Sequence, residues 1–197
     1  MQNQIVNSFT NILHEFQPDE LAYLSLTTKI ELPFRDRWAY SMYKEFKNTN
    51  TVVSREWKRT DLALLENGSP SALIELKAMY SFDAALKSYD ISGFTDAMSR
   101  DEEKAKQLAE ENTEIFTVLL ATHPEKNIDS SLSGIVKYDT GINKAIKRFK
   151  SSSAVKDEAI KAVNSNMKKR NIIMQGELIA GRAFGIDTLI LYWIVKV

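Results

Sequence analysis

The sequence predicts an α/β protein in which a mixed central β-sheet is flanked by helices. Residues 51–57 are rich in β-branched side chains, and residues 60–78 contain two apolar runs around a turn, a pattern typical of paired strands. The continuous apolar run at 115–121 fits a strand that is buried on both faces. Apolar residues at helical spacing precede and separate these strands, which favours helices packed against a sheet.

The first helices can be placed from their apolar spacing. Residues 4–23 carry apolar side chains on one face and break at Pro18, which indicates one or two short amphipathic helices. A longer helix is expected to open at Pro33, because proline is favoured in the first helical turn. Its apolar side chains recur at every fourth position from 34 to 46 and are expected to pack on the sheet.

The second half of the chain contains further helices and a hairpin. Helical patterns span about 83–89 and 95–111, and the charge spacing of the second pattern predicts an exposed helix. Near the C-terminus, the apolar run 189–195 follows residues 172–184 through Gly185, which predicts a two-stranded hairpin at about 172–197. Such a run must be covered on both faces, either by this domain or by a second copy of the chain.

Composition bounds the class of protein. The 197 residues are 44% hydrophobic and 26% charged, which predicts a single folded domain over 1–197. Basic and acidic residues balance at 26 each, so any affinity for DNA must come from a local patch. Cysteine is absent, which excludes disulfides and thiolate sites and fits a cytoplasmic location. The sequence has no apolar run of membrane-spanning length and no signal-peptide pattern at its start, so no membrane association is expected.

Several enzyme classes are poorly supported. The chain has two histidines far apart in sequence, which disfavours histidine-metal nucleases and Ser-His-Asp hydrolases. It contains no GxSxG, P-loop or GxGxxG motif, and we therefore expect no organic cofactor.

Charged residues lie inside the predicted hairpin, where a buried strand should be apolar. Asp61 begins the first strand, and Glu75 and Lys77 lie within the second. Burying a charge is costly unless it is paired or binds a metal. Because successive side chains of a strand alternate between faces, Glu75 and Lys77 share one face.

The length of the turn decides whether Asp61 joins them. A three-residue loop at 67–69 would pair Glu66 with Pro70 and set Asp61 opposite Glu75. A two-residue loop would turn Asp61 to the other face. We predict the three-residue loop, because it gathers two carboxylates and an ammonium group at one place.

The three residues resemble the signature of the PD-(D/E)xK nuclease superfamily, to which many restriction endonucleases and Holliday-junction resolvases belong. Asp61 matches its aspartate, and Glu75-Leu76-Lys77 matches its ExK element, whereas Thr60 replaces its frequent proline. The predicted order of elements over about 31–122 is helix, three strands, helix, strand. This order is that of the restriction endonuclease-like αβββαβ core.

The resemblance implies a Mg²⁺-dependent endodeoxyribonuclease of the restriction-enzyme type, in which Mn²⁺ can replace Mg²⁺. Asp61, Glu75 and the backbone carbonyl of Leu76 would bind the metal, since Mg²⁺ prefers oxygen ligands. Lys77 would orient or activate the attacking water and stabilise charge on the phosphate.

Other Glu-x-Lys triplets begin at Glu45 and Glu102, but both lie in segments with a helical pattern. A further acidic residue from the helix before the first strand often joins the metal in the resembled superfamily. Glu31 is the candidate that we favour, and Asp36, Glu45 and Glu56 are the alternatives. A favourable charge at a helix N-terminus would equally explain Glu31.

The best candidate for contacting DNA is a basic helical segment at about 142–170. It holds nine lysines and arginines against two acidic residues, although a solvated helical face would have the same composition. The predicted DNA-binding residues are Lys144, Lys147, Arg148, Lys150, Lys168, Lys169 and Arg170. A homodimer would suit the cleavage of two antiparallel DNA strands.

Two alternatives to a restriction-type enzyme remain open. A nuclease-like fold can serve as a non-catalytic DNA-binding or protein-interaction module, because fold does not determine function. A structure-selective junction nuclease would use the same catalytic residues on a different substrate.

Overall fold

The computed structural model describes residues 1–87 and 91–197. Its strands form one sheet and are β1 (Thr51–Trp57), β2 (Thr60–Glu66), β3 (Ser69–Tyr80), β4 (Glu114–Pro124), β5 (Asn171–Ala183) and β6 (Ile186–Lys196). The described α-helices are α1 (Gln2–Thr10), α2 (Glu20–Thr27), α3 (Glu31–Phe46), α4 (Ser81–Leu86), α5 (Ser92–Leu108), α6 (Asp139–Phe149) and α7 (Ser152–Asn166). Short 3₁₀ helices span Ile12–Glu15 and Ser130–Leu132. The last residues of the helix predicted at 83–89 lie outside the described residues.

The sheet is mixed, as predicted. Its strand order is β1-β2-β3-β4-β6-β5, in which β3 and β4 are parallel and every other neighbouring pair is antiparallel. The parallel pair requires a crossover connection, and α4 and α5 lie in it. The predicted α/β class with flanking helices is therefore confirmed.

Helices cover the sheet on both faces. The predicted apolar stripe of α3 is buried, and Phe34 and Trp38 pack with Ile74 and Leu76 of β3 in one core cluster. On the opposite face, α4, α6 and α7 contribute to a second cluster, which includes Trp193 of β6. Among the described helices, none combines the length and the apolar character needed to cross a lipid bilayer.

The turn between β2 and β3 differs from the prediction. It is a two-residue loop, with Glu66 paired to Ser69 and with positive φ at Asn67 (53°) and Gly68 (85°). An Asn-Gly pair favours this turn, because its left-handed backbone matches the twist of the flanking strands. The predicted three-residue loop at 67–69 is therefore wrong.

A β-bulge restores the predicted register one step further along. Leu65 pairs with Pro70 but Leu64 pairs with Ala72, so that Ser71 has no partner residue, and its hydroxyl donates to the Leu64 carbonyl at 3.1 Å. Beyond the bulge, Ala63 pairs with Leu73 and Leu62 with Ile74. Continuation of this register places Asp61 across from Glu75, as predicted.

The C-terminal hairpin, β5 and β6, forms the edge of the sheet opposite to β1. Its turn is Phe184-Gly185, and both residues have positive φ. Strand β6 lies between β4 and β5, and both of its faces are covered within this chain. Tyr192 packs against Phe9 of α1 at 4.8 Å between ring centroids, while Trp193 donates its indole N–H to Asn164 of α7. The apolar end of the chain therefore needs no second copy to cover it.

Candidate active site

Strands β2 and β3 separate at one end of the sheet. Their ladder ends at the pair Leu62–Ile74, whereas β3 continues beside β4 as far as Tyr80. Beyond Ile74, the backbone N–H groups of Leu76 and Ala78 point to the side that β2 has left. Backbone donors in this position need another acceptor, since buried N–H groups are seldom unpaired.

Two of the predicted site residues supply that acceptor. Asp61 accepts a hydrogen bond from the Leu76 N–H at 2.8 Å, and Glu31 accepts one from the Ala78 N–H at 2.9 Å. Glu31 is the first residue of α3, so the helix delivers its carboxylate to the open edge of β3. Burial raises the pKa of Glu31, Lys77 opposes this effect, and Asp61 adds to it.

Glu75 and Asp61 form a close pair of carboxyl groups. Glu75 is only 5% exposed, and Asp61 lies beside it, one residue beyond the last paired residues Leu62 and Ile74. Burial, together with the charge and hydrogen bond of Asp61, raises the pKa of Glu75 to about 8, although Lys77 opposes this. Two neighbouring carboxylates in a buried place repel each other, and a proton or a cation between them relieves the repulsion.

Lys77 lies on the same face and is held at two points. Its ammonium donates to the Leu76 carbonyl at 2.9 Å and lies 2.7 Å from Oδ2 of Asp101 on α5. Burial alone would lower the pKa of Lys77, but the hydrogen bond to Asp101 and the charge of Glu31 raise it above the usual value. The lysine is therefore a fixed positive charge beside the carboxyl pair.

Arg35 also reaches the site, although sequence reasoning missed it. The side chain is buried, its guanidinium pairs with Asp36 and Glu56, and it lies 3.5 Å from Oδ1 of Asp61. The sequence did contain an indication that Arg35 lies near the site, because Glu31 and Arg35 are four residues apart and so share one face of α3.

The alternatives to Glu31 take other roles in this structure. Asp36 pairs with Arg35 and with Arg55 of β1. Glu56 pairs with Arg35 and does not join the carboxyl pair directly. Glu45 is exposed in the last turn of α3. Among these four acidic residues, Glu31 is thus the one that accepts a hydrogen bond from the backbone of β3.

The charged helix α5 is less exposed than predicted. Asp101 turns to Lys77, and the neighbouring Glu102 is buried, where it accepts hydrogen bonds from Thr117 of β4 and from Arg170. The i,i+3 pairs of the exposed face are present as well, between Asp101 and Lys104 and between Glu103 and Lys106. The sequence could not identify the buried face, because Arg170 lies 68 residues from Glu102.

The predicted DNA-binding residues divide into two groups. Six of them are exposed on or next to α6 and α7, namely Lys144, Lys147, Arg148, Lys150, Lys168 and Lys169. Arg170 differs from them, because it pairs with Glu102 and also donates to the Ser99 hydroxyl at 2.8 Å. Its contact with DNA stays a prediction, although its guanidinium already has a carboxylate partner within the chain.

A second polar pair is enclosed in the core. The Ser81 hydroxyl lies 2.8 Å from Nδ1 of His123, and both residues are 2% exposed. Burial lowers the pKa of His123 to about 4, and the charge of Lys156 adds to this effect. The pair resembles a nucleophile and its base, but its burial leaves no access for a substrate.

The donor set for a cation is small. Within residues 1–87 and 91–197, no three acidic or histidine side chains are grouped closely enough to form a metal site by themselves.

The chain matches no family model, and no curated protein or solved structure proved similar to it. The resemblance to PD-(D/E)xK nucleases therefore rests on Asp61, Glu75 and Lys77 themselves.

Proposed function

We propose that this protein is a Mg²⁺-dependent endodeoxyribonuclease of the restriction-enzyme type, built on a restriction endonuclease-like αβββαβ core. One observation carries the proposal, which is the contact between buried Glu75 and half-buried Asp61, with the ammonium of Lys77 on the same face. The order of α3, β1, β2, β3, the crossover helices and β4 agrees with that core.

The carboxyl pair suits a hard divalent cation. Asp61 and Glu75 offer oxygen donors, as does the Leu76 carbonyl next to the Lys77 ammonium, and water would complete the coordination shell of Mg²⁺. The repulsion that raises the pKa of Glu75 also favours a cation at this place. When bound, Mg²⁺ or Mn²⁺ would polarise the scissile phosphate and lower the pKa of a bound water.

The residues of the chain itself have distinct tasks in this proposal. Asp61 and Glu31 are fixed by the N–H groups of Leu76 and Ala78, so that their carboxylates keep their orientation without a ligand. Lys77 would donate to the attacking water or to a phosphate oxygen and stabilise the negative charge of the transition state. The exposed lysines of α6 would contact the DNA backbone.

Cleavage of supercoiled plasmid and of mixed genomic DNA in Mg²⁺, Mn²⁺ and Ca²⁺ tests the proposal. Discrete fragments are expected from the wild type, and Lys77→Ala should lower the rate by roughly 10² to 10³. Lys106→Ala is the matched control, because Lys106 is exposed and pairs only with Glu103 among the described residues. A smear of fragments would indicate a nonspecific nuclease. A wild-type protein that cuts no DNA substrate would refute the proposed nuclease function.

A non-catalytic DNA-binding or protein-interaction module is the second candidate. It is favoured by the hydrogen bonds that already occupy the site, because the Leu76 carbonyl accepts from Lys77 and both oxygens of Asp61 have partners. Thermal unfolding separates the two candidates. A metal at ten times its Kd should stabilise the wild type by about 1.4 kcal/mol, and Asp61→Ala should abolish the effect. A substrate panel with four-way junctions would then identify a junction nuclease.

A further inference from the structure

The contact between Lys77 and Asp101 joins the candidate site to α5. Oδ2 of Asp101 lies 2.7 Å from the Lys77 ammonium, and Oδ1 accepts from Lys104 at 2.9 Å. The Asp101 side chain is 14% exposed, whereas a carboxylate that serves only to solubilise a helix lies in open solvent. The contact is therefore a partly buried ion pair that joins strand β3 to helix α5.

Helix α5 is rigidly attached to the sheet at the next residue. Glu102 accepts hydrogen bonds from Thr117 of β4 and from Arg170, and Arg170 also donates to the Thr95 carbonyl at 3.1 Å. Because Glu102 is buried and satisfied, α5 cannot rotate or slide without breaking this network. The position of Asp101 relative to β3 is thus fixed by the fold.

The two contacts of Lys77 leave one donor for the site. A protonated lysine has three N–H donors, and the Leu76 carbonyl and Asp101 take two of them. A lysine side chain has many rotamers, so an ammonium held at two points loses most of its freedom before a substrate arrives. The direction of the remaining N–H is then set by the two contacts of the ammonium with the protein.

We propose that Asp101 is a positioning residue, which holds the Lys77 ammonium so that its remaining N–H points at the attacking water or the scissile phosphate. This inference rests on the proposed nuclease function. It assigns to α5 a task in the reaction, because a cation is most effective when it is already in place where charge develops. Asp101 itself contacts neither substrate nor metal in this arrangement.

Single-site variants separate positioning from folding. We expect Asp101→Ala to lower kcat for plasmid cleavage roughly tenfold to a hundredfold, the range typical of outer-shell partners, and to change KM less than about threefold. Asp101→Asn keeps an oxygen acceptor of the same size and should recover a large part of kcat. The matched control is Glu103→Ala on the exposed face of α5, which should cut DNA at the wild-type rate with the same melting temperature.

A double variant tests whether Asp101 acts through Lys77. In the Lys77→Ala background, Asp101→Ala should cause no further loss, since the positioned group is already gone. Equal losses in both backgrounds would overturn the inference, and so would an Asp101→Ala protein that cuts at the wild-type rate. In both of these outcomes the wild type cuts DNA, and the proposed function stands. A wild type that cuts no DNA would overturn both proposals together.

Discussion

Replacing Glu75 by glutamine removes the titratable carboxyl group of this residue while keeping the shape of the side chain. The native pKa of about 8 lies far above the ordinary value of 4.5 that applies in the unfolded chain. Between these two values the native state holds a proton that the unfolded state has lost. The free energy of unfolding therefore falls as the pH rises through this window, by up to about 1.4 kcal/mol per pH unit.

The expected magnitude follows from the same two values. Between pH 5 and 7.5, the single titration of Glu75 should reduce the stability of the metal-free wild type by about 3 kcal/mol. Glu75→Gln carries no such proton, so its stability should fall by about 3 kcal/mol less over the same interval. Because glutamine keeps the neutral form that Glu75 has at pH 5, the two proteins should be similarly stable there, and the variant should be the more stable protein at pH 7.5.

Urea unfolding in EDTA at both pH values measures this difference, with tryptophan fluorescence as the signal. Other groups titrate in both proteins, and comparison of the two slopes cancels their contribution. Glu103→Gln is the control, because the Glu103 side chain is 69% exposed and its replacement should leave the pH dependence unchanged. Wild type and Glu75→Gln with the same pH dependence would refute the argument that burial and Asp61 hold a proton on Glu75.

Three further predictions concern other parts of the molecule. The pKa of His123 is about 4 in the native state and 6.5 in the unfolded chain, so the unfolded state gains a proton first as the pH falls. The free energy of unfolding should therefore fall by about 2–3 kcal/mol between pH 7 and 4.5. His123→Gln should remove this loss when urea unfolding is measured at the two pH values. Gly68→Ala meets no neighbouring atom within 4 Å but imposes a side chain at a φ of 85°, and should cost about 1 kcal/mol in the same assay; an unchanged midpoint would contradict this. We expect a homodimer on DNA, and light scattering that gives the monomer mass with and without DNA would count against it.

Local sequence signals predict the hairpin and, through strand alternation, the shared face of Glu75 and Lys77. They do not predict how Asp61 joins them, because the turn has two residues and the register is restored by the bulge at Ser71. The apolar stripe of α3 likewise follows from helical spacing alone. The element order of residues 31–122 required no long-range information.

The tertiary contacts that complete the candidate site could not be predicted from the sequence. Helical spacing places Arg35 on the face of Glu31, but the contacts of Arg35 with Glu56 and Asp61 form only when α3 packs on the sheet. The contact of Asp101 with Lys77 likewise requires α5 to be packed in place. The sequence groups Arg170 with the basic segment, because its partner Glu102 is 68 residues away. Which of many charges pair in the interior is decided by tertiary packing, and no local pattern encodes it.

The bulge at Ser71 has a consequence for how this hairpin tolerates insertions and deletions. Because Ser71 has no partner residue on β2, deleting it should leave Asp61 across from Glu75 and the ladder regular. Retaining it while forcing a regular ladder on the same turn would instead bring Ile74 opposite Asp61. A shorter chain would thus preserve the arrangement of charges, and a straighter strand of the present length would destroy it.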